Sequence, residues 1–431
     1  MLMFNGSRLP RELIRPIIEL VDRDFEDDVH EMAEVCWAWR YEVESYIYSS
    51  VDVPDTKLLF FARTLVDRPD LARRVRRLAL TPAGHRPKQP GDIDIVARMF
   101  KLLVNMKDLS IIEGPHFQPL EWVISPVADV WIIENCPFSL VRFKSFFAWT
   151  PRHVDFLATQ PDLREFLLEG GSYAEDIPMI PDTALSHCTS LRADPRLLLG
   201  LQVPRAITHL RVDLFHMSED EELEAAHSIA FLGNQLRSLC INRWIKPDEE
   251  PYARTSDMLR IFAPKTSHLS FLGLYEAHDY SRPENARIRR LISRHLRKLK
   301  AFVWGPLYVS RYADEDFSSD GSGFSINTDD DDIENSEVKT TKYVMAMMKS
   351  SPMLDVFISK RSGSNSAWVR RRSDGSIRSM SLAHSMTEDS FRFVDPDDPL
   401  NFIVNGEVHS AFKPEKYVYF GLPLRRRQIM D

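Results

Sequence analysis

One short pattern of apolar residues recurs along most of this chain, and it constrains the fold more than any other feature of the sequence. Each copy has an apolar residue, two variable residues, a second apolar residue, one variable residue and a third apolar residue. The regular copies are Val75-x-x-Leu78-x-Leu80, Met106-x-x-Leu109-x-Ile111, Leu163-x-x-Phe166-x-Leu168, Ile207-x-x-Leu210-x-Val212, Leu236-x-x-Leu239-x-Ile241 and Thr266-x-x-Leu269-x-Phe271. The middle residues Leu210, Leu239, Leu269 and Leu299 follow one another at steps of 29 or 30 residues.

Less regular copies extend the series. Leu296-x-x-Leu299 has an irregular ending, and Met353-x-x-Val356-x-Ile358 comes after it. Two weaker candidates with irregular spacing are Val127-x-x-Val130-x-Ile132 and Cys188-x-x-Leu191-x-Ala193.

The end of each copy alternates between apolar and variable residues, which predicts a short strand because side chains two apart share a face. Helix-like stretches lie between the copies, at residues 153–159, 220–232, 256–262, 285–295 and 342–348. One strand and one helix every 20 to 30 residues is typical of a leucine-rich-repeat solenoid. The alternative is an ordinary α/β protein, in which apolar triplets at this spacing are common.

In a solenoid the variable strand residues face a concave surface, which usually binds proteins. The residues expected there include Glu169, Ser238, Cys240, Leu272, Lys298 and Lys300. From this surface we predict a target-binding set of Glu165, Leu167, His209, Arg211, Asp213, Asn242, His268 and Ser270.

Residues 9–51, ahead of the repeats, read as three short helices. Pro10 suits a first helical position because its missing N–H would have no partner there. The apolar stripe that follows is wider than a lone surface helix usually shows; it comprises Leu13, Ile14, Ile17, Ile18, Leu20 and Val21. So small a unit has little core of its own. It therefore needs a neighbour, either the rest of the chain or a partner protein.

This segment resembles an F-box, through Leu9-Pro10 with Glu12 close behind, Val35-Cys36-x-x-Trp39-Arg40 and the closing residues 47–51. The repeats look like the irregular leucine-rich-repeat tail behind many F-boxes, although they lack a consistent Asn after the strand. The resemblance implies a module that binds the Skp adaptor, and through it a cullin, while the repeats hold a target protein for ubiquitination. The adaptor-binding residues that it implies are Leu9, Pro10, Leu13, Ile14, Ile17, Ile18, Val35, Cys36 and Trp39.

We therefore expect an α/β chain with a three-helix F-box-like module at residues 1–52, a leucine-rich-repeat-like solenoid at 53–360 and a hairpin cap and tail at 361–431. Hairpins are predicted around Asp374-Gly375 and Asn405-Gly406. Residues 314–337 are rich in Asp, Ser and Gly, which predicts a disordered insert. Basic runs at residues 370–372 and 425–427 are read as solvated charge on the cap.

The remaining features favour a binding protein. The net charge of -8 argues against nucleic acid as the main partner, although it leaves room for a local basic patch. The sequence has no long apolar run and no secretory leader, and its four dispersed cysteines favour the cytoplasm or nucleus. We found no catalytic motif, and the sequence predicts no enzyme activity, metal site or cofactor. The alternative function is a repeat-protein scaffold whose N-terminal helices merely cap the array.

Overall fold

The computed structural model describes residues 9–24, 28–81, 90–111, 130–145, 149–168, 178–193, 195–215, 217–244, 253–276, 282–305, 341–361, 364–370 and 377–382. These residues fall into two compact units, one up to His187 and one from Cys188. The predicted insert at 314–337, the hairpin around Asn405-Gly406 and the basic run at 425–427 lie outside the described residues.

The first unit begins with three helices, α1 (Arg11–Asp24), α2 (Asp28–Met32) and α3 (Trp37–Ser49). Their shared core consists of Ile14, Ile18, Val29 and Val43. The hydroxyl of Tyr46 on α3 donates to the Asp22 carboxylate on α1 at 2.8 Å. Three helices are present as predicted. Helix α2 ends at Met32, and Cys36 is an extended residue just before α3.

Five parallel strands follow in sequence order, each hydrogen-bonded to the next: β1 (Ser50–Pro54), β2 (Arg77–Thr81), β3 (Asp108–Ile111), β4 (Arg142–Ser145) and β5 (Glu165–Leu168). Strand β1 continues directly from α3, so the module boundary expected at residue 52 lies inside a strand. The connections contain α4 (Asp55–Asp67), α5 (Pro69–Ala72), α6 (Pro90–Leu102), a 3₁₀ helix (Val130–Ile133) and α7 (Pro151–Ala158).

The second unit repeats this arrangement. Six strands are parallel in sequence order: β6 (Ser190–Ala193), β7 (His209–Phe215), β8 (Ser238–Trp244), β9 (Phe271–Glu276), β10 (Ala301–Gly305) and β11 (Val356–Arg361). The helices between them are α8 (Pro195–Leu199), α9 (Glu219–Leu232), a 3₁₀ helix (Gly233–Gln235), α10 (Thr255–Phe262), α11 (Arg282–His295) and α12 (residues 341–350). Within each unit the α/β order is solenoid-like.

The C-terminal end of the second unit is antiparallel. Strand β12 (Ser364–Arg370) pairs with β11 on one side and with β13 (Ile377–Leu382) on the other. The pairing of β12 with β13 confirms the hairpin predicted around Asp374-Gly375.

One buried residue of each parallel strand aligns with its equivalent in the next strand of the same unit. In the first unit these residues are Val51, Leu78, Leu109, Phe143 and Phe166. In the second they are Leu191, Leu210, Leu239, Leu272, Phe302 and Phe357. For every parallel strand except β1, the residue three positions before the aligned one is also buried, as at Val75 or Leu269.

A shared carbonyl fixes the alignment at the start of many strands. The Arg76 carbonyl accepts from the amides of Lys107 (2.8 Å) and Asp108 (3.1 Å), and the Thr208 carbonyl accepts from those of Arg237 and Ser238. Two N–H groups thus find a partner on one oxygen where the chain enters the sheet.

This alignment corrects the last predicted copies. The structure aligns Leu239 with Leu272 and Leu272 with Phe302, so the copies centred on Leu269 and Leu299 were placed three residues too early. The copy centred on Val356 was placed one residue too early, since Phe357 aligns with Phe302.

Of the two weaker candidate copies, one is wrong and one is confirmed. Val130 lies in a 3₁₀ helix, so its candidate copy is wrong, and the true copy, Leu140-x-x-Phe143-x-Ser145, was missed. The irregular candidate at Cys188 is confirmed by the pairing of Leu191 with Leu210.

Candidate functional site

Helix α1 has two apolar faces. Ile14 and Ile18 are buried in the core of the three helices. Leu9, Leu13 and Leu20 are 45%, 47% and 52% exposed. Leu13 and Leu20 are seven positions apart, which is the spacing of one helix face, and Leu9 lies two residues before α1 begins. We call Leu9, Leu13 and Leu20 the α1 stripe.

A second exposed apolar group lies where α3 begins. Val35 is 67% exposed and Trp37 is 73% exposed. The Trp37 ring contacts Tyr41 one turn later, with 5.7 Å between ring centroids. Isolated exposed apolar side chains are ordinary, but several of them on one small helical unit are typical of a protein interaction surface.

The structure divides the predicted adaptor-binding residues into three groups. Leu9, Pro10, Leu13, Val35 and Cys36 are exposed, whereas Ile17 and Trp39 are partly buried. Ile14 and Ile18 are buried, which corrects their assignment to the contact surface: they pack inside the module and hold α1 to its neighbours.

Sequence reasoning missed Leu20 and Trp37 as surface residues. Leu20 was counted in the apolar stripe without being assigned to a face, and Trp37 occupies a variable position of the Val35-Cys36-x-x-Trp39 motif. A helical wheel that separates α1 into two faces would have found Leu20, because Leu20 and Leu13 are seven residues apart.

The helical module is fixed to the rest of the first unit through α3. Arg74 donates from Nη1 to the carbonyl of Tyr41 (2.8 Å) and to Oγ of Ser45 (2.9 Å). Its guanidinium carbon also lies 4.3 Å from the centroid of the Tyr41 ring. These contacts and the direct continuation of α3 into β1 anchor the module on the side of α3, and the α1 stripe remains exposed.

On the strands of the first unit, a row of charged residues crosses β2 to β5. Arg77, Asp108, Arg142 and Glu165 are aligned side by side. Asp108 accepts from Arg142 at 3.0 Å and lies 3.6 Å from Arg77. Burial raises the pKa of Asp108 and of Glu165, and the Arg142 charge opposes both shifts. Glu165 is thus partly buried beside this ion-pair network.

Leu167 is only 2% exposed, which contradicts its predicted place on an open binding face. The alternating pattern of the strand places Leu167 on the face opposite Phe166, as predicted, but at this position that face is also buried.

In the second unit Asp213 is the centre of a polar network. Its carboxylate accepts from Arg192 Nε at 2.7 Å, from Arg211 Nε at 3.1 Å and from the Asn242 side-chain amide. Burial raises the pKa of Asp213, but the two guanidinium groups lower it by more, so that it lies well below its usual range. Asn242 is 1% exposed, and its prediction as a surface contact is wrong.

The other predicted target-binding residues lie at the entrances to strands. His209 begins β7, and its Nδ1 lies 2.8 Å from the Thr208 hydroxyl. Ser270 precedes β9 and donates from Oγ to the Arg237 carbonyl at 2.9 Å, and His268 lies two residues earlier. The residue aligned with Arg211 and Cys240 is Gly273. Because the copy centred on Leu269 was placed three residues too early, His268 and Ser270 do not lie on the strand face that they were predicted to occupy.

Within the described ranges, no group of three His, Cys, Asp or Glu side chains is arranged to hold a metal ion. None of the helices described here is long and apolar enough to cross a bilayer.

Comparison with models of known protein families gave no match for this chain, and comparison with curated proteins gave none either.

Proposed function

We propose that this chain is the substrate-recognition subunit of a Skp–cullin–F-box ubiquitin ligase. The observation that carries the proposal is the α1 stripe, in which Leu13 and Leu20 on α1 and Leu9 just before it are exposed although a second apolar face of the same helix is buried. If the three helices merely capped the array as a scaffold, this stripe would be expected to pack against the chain. A partner protein is the natural cover for such a face.

In this assignment the N-terminal helices bind the Skp adaptor through the α1 stripe, Val35 and Trp37. Ile14 and Ile18 support this surface from inside the module. The parallel strands and their loops hold a target protein, and the assembly brings the target close to a ubiquitin-charged enzyme on the cullin. The chain itself then needs no catalytic group, because its contribution to rate is proximity.

A direct binding measurement tests the assignment. We expect Leu9→Ala with Leu13→Ala to weaken binding to purified Skp adaptor by about 30-fold or more, because truncating a central apolar anchor typically costs about 2 kcal/mol of binding free energy. Trp37→Ala should have a similar effect. Since these side chains are exposed in the free chain, the melting temperature should hardly change.

A matched control removes equally exposed apolar side chains elsewhere. Phe60 on α4 and Phe231 on α9 are 62% and 46% exposed, and the double change Phe60→Ala with Phe231→Ala should leave adaptor binding intact. Failure of the natural chain to bind the adaptor, or equal binding by the Leu9/Leu13 variant, would favour the scaffold alternative.

A further inference from the structure

A long run of positive charge lies on and after helix α11. Residues 282–300 contain eight Lys or Arg residues and one carboxylate, Glu284, in a chain whose net charge is -8. A local excess of this size against the overall charge creates a strongly positive surface potential.

The helix directs these charges outward. Ile288, Ile292 and Leu296 are buried, and they form the inner side of α11 and of the turn that follows. Arg287, Arg290 and Arg294 are exposed, and their spacing of three and four residues places them on one outer face. Arg297 and Lys298 in the following turn are also exposed. We call Arg287, Arg290, Arg294, Arg297 and Lys298 the basic surface.

Among the described residues, little negative charge balances the basic surface. Glu284 is largely buried, and its carboxylate accepts from the amide (2.9 Å) and hydroxyl (3.0 Å) of Ser256. It lies 3.8 Å from Arg287 and is the only carboxylate among the described residues in salt-bridge range of this surface. Arg297 donates from Nε to the Arg294 carbonyl at 3.3 Å, which holds the Arg297 side chain against the end of α11.

The His295 imidazole lies within the same positive potential. Burial lowers the pKa of His295, and the charges of Arg294 and Arg297 lower it further. Protonation is opposed because the imidazolium would lie beside these cations.

We propose that the basic surface binds an acidic segment of a partner protein, through ion pairs between its guanidinium groups and Asp or Glu carboxylates. Four of its five cations are arginines, whose planar fork matches a carboxylate with two parallel hydrogen bonds. Helix α11 is about 21 Å long, so an extended peptide of about six residues spans it.

The surroundings favour a short acidic peptide over larger polyanions. Helix α10 packs against both α11 and α9, and the first turn of α9 carries Glu219, Asp220 and Glu221, none of which is buried. A duplex or a membrane that extended past α11 would meet these carboxylates, whereas a peptide along α11 would not. Helices α10 and α11 also present no exposed aromatic ring on which the bases of a single strand could stack.

Fluorescence anisotropy with the full chain tests this inference, which does not depend on the proposed ligase function. The probe is a short fluorescein-labelled peptide of alternating Glu and Ser, and the same peptide with Gln in place of Glu should not bind. We expect Arg290→Gln with Arg294→Gln to weaken binding of the acidic peptide at least about tenfold, which corresponds to about 1.4 kcal/mol. Arg297→Gln with Lys298→Gln provides an independent second variant.

The control removes the same charge from another helix. Arg98 and Lys101 are exposed on α6, and Arg98→Gln with Lys101→Gln should change the affinity less than about twofold. Equal losses in the control and test variants would overturn the proposal. So would tighter binding, through Arg290 and Arg294, of a labelled single-stranded oligonucleotide or of phosphatidylserine vesicles.

Discussion

Two aspartates on the strands have pKa values shifted in opposite directions. Asp213 is held between Arg192 and Arg211, and its pKa lies below the usual range because these two charges outweigh its burial. Asp108 also contacts two arginines, but burial dominates and its pKa is raised. The difference arises because both Arg–Asp213 pairs are close, whereas Arg77 lies 3.6 Å from Asp108.

These shifts predict opposite effects of acid on the free energy of unfolding. The folded pKa of Asp213 is below its unfolded value of about 3.9, so its ionised form stabilises the fold at higher pH, and this contribution is lost as pH falls below about 4. The stability difference between the natural chain and Asp213→Asn should therefore shrink as the solution is acidified. Urea denaturation between about pH 3 and pH 6 measures it.

Asp108→Asn serves as the opposite-sign control. Because the folded pKa of Asp108 is raised, acid favours its native form, and the natural chain should gain stability relative to Asp108→Asn over the same interval. Parallel behaviour of the two variants would show that the balance of burial and charge described for these sites is incorrect.

At the scale of elements, a buried ion pair ties β8 to α9 and to the start of α10. Arg243 and Glu222 are almost fully buried, and the Arg243 guanidinium donates to both Glu222 oxygens at 3.0 and 2.7 Å. Arg243 also donates to the Thr255 hydroxyl at 2.7 Å, and the Ala253 amide donates to Glu222 at 3.1 Å. Because every charge has partners, the network specifies how the three elements meet.

Breaking this pair should destabilise the second unit strongly. Glu222→Gln leaves a buried guanidinium without its counter-charge, which typically costs about 3 to 5 kcal/mol. Replacing both residues by Met should recover part of the loss. The exposed pair of Arg260 with Asp257 on α10 (3.1 Å) is the control, and Arg260→Gln should cost less than about 1 kcal/mol. Chemical denaturation of all three variants measures these changes in the free energy of unfolding. Similar losses of stability for Glu222→Gln and Arg260→Gln would contradict the prediction.

The sequence predicted the positions of the helices more accurately than the alignment of neighbouring strands. Helices α7, α9, α10, α11 and α12 lie where apolar spacing placed them, and Ser218 with Glu221 forms the capping box at the start of α9. The alignment failed at β9 because Leu269, three residues before the aligned residue Leu272, is as buried as Leu272. Because the repeat pattern itself has two apolar positions three residues apart, it still fits the sequence when it is placed three residues too early.

The faces of the candidate site were harder to assign. Periodicity identified α1 as unusually apolar, but only the packing of α2 and α3 determines that Ile14 is buried and Leu13 exposed. Alternation likewise put Asn242 and Leu167 on the non-core face of their strands, yet both are buried there. A sequence pattern defines which residues share a face; what covers that face depends on contacts distant in sequence.

At the scale of the whole molecule, the parallel strands of each unit follow sequence order, so each repeat pairs mainly with the repeats before and after it. Stability in such an array is approximately a sum of repeat and nearest-neighbour contributions. A change in one repeat is therefore expected to couple to its neighbour and not to a repeat further along.

A double-mutant cycle in the second unit tests this. Leu239 and Leu272 are aligned on adjacent strands, and Leu239→Ala with Leu272→Ala should show an interaction energy of about 0.5 to 3 kcal/mol. Leu210 and Phe302 are separated by three strand spacings, or about 14 Å, and Leu210→Ala with Phe302→Leu should be additive within about 0.5 kcal/mol. Strong coupling of the distant pair, or additivity of the adjacent pair, would rule out nearest-neighbour behaviour and the assigned alignment.

The constant alignment of the strands coexists with unequal chain lengths between them. The step from Leu191 to Leu210 is 19 residues, and the step from Phe302 to Phe357 is 55, yet each pair is aligned in neighbouring strands. An evolving gene can therefore lengthen or shorten the connections without turning any strand over. A single-codon insertion within a strand would exchange its inner and outer side chains. Innovation in this lineage is thus expected to accumulate in the connections, while the strands change by substitution alone.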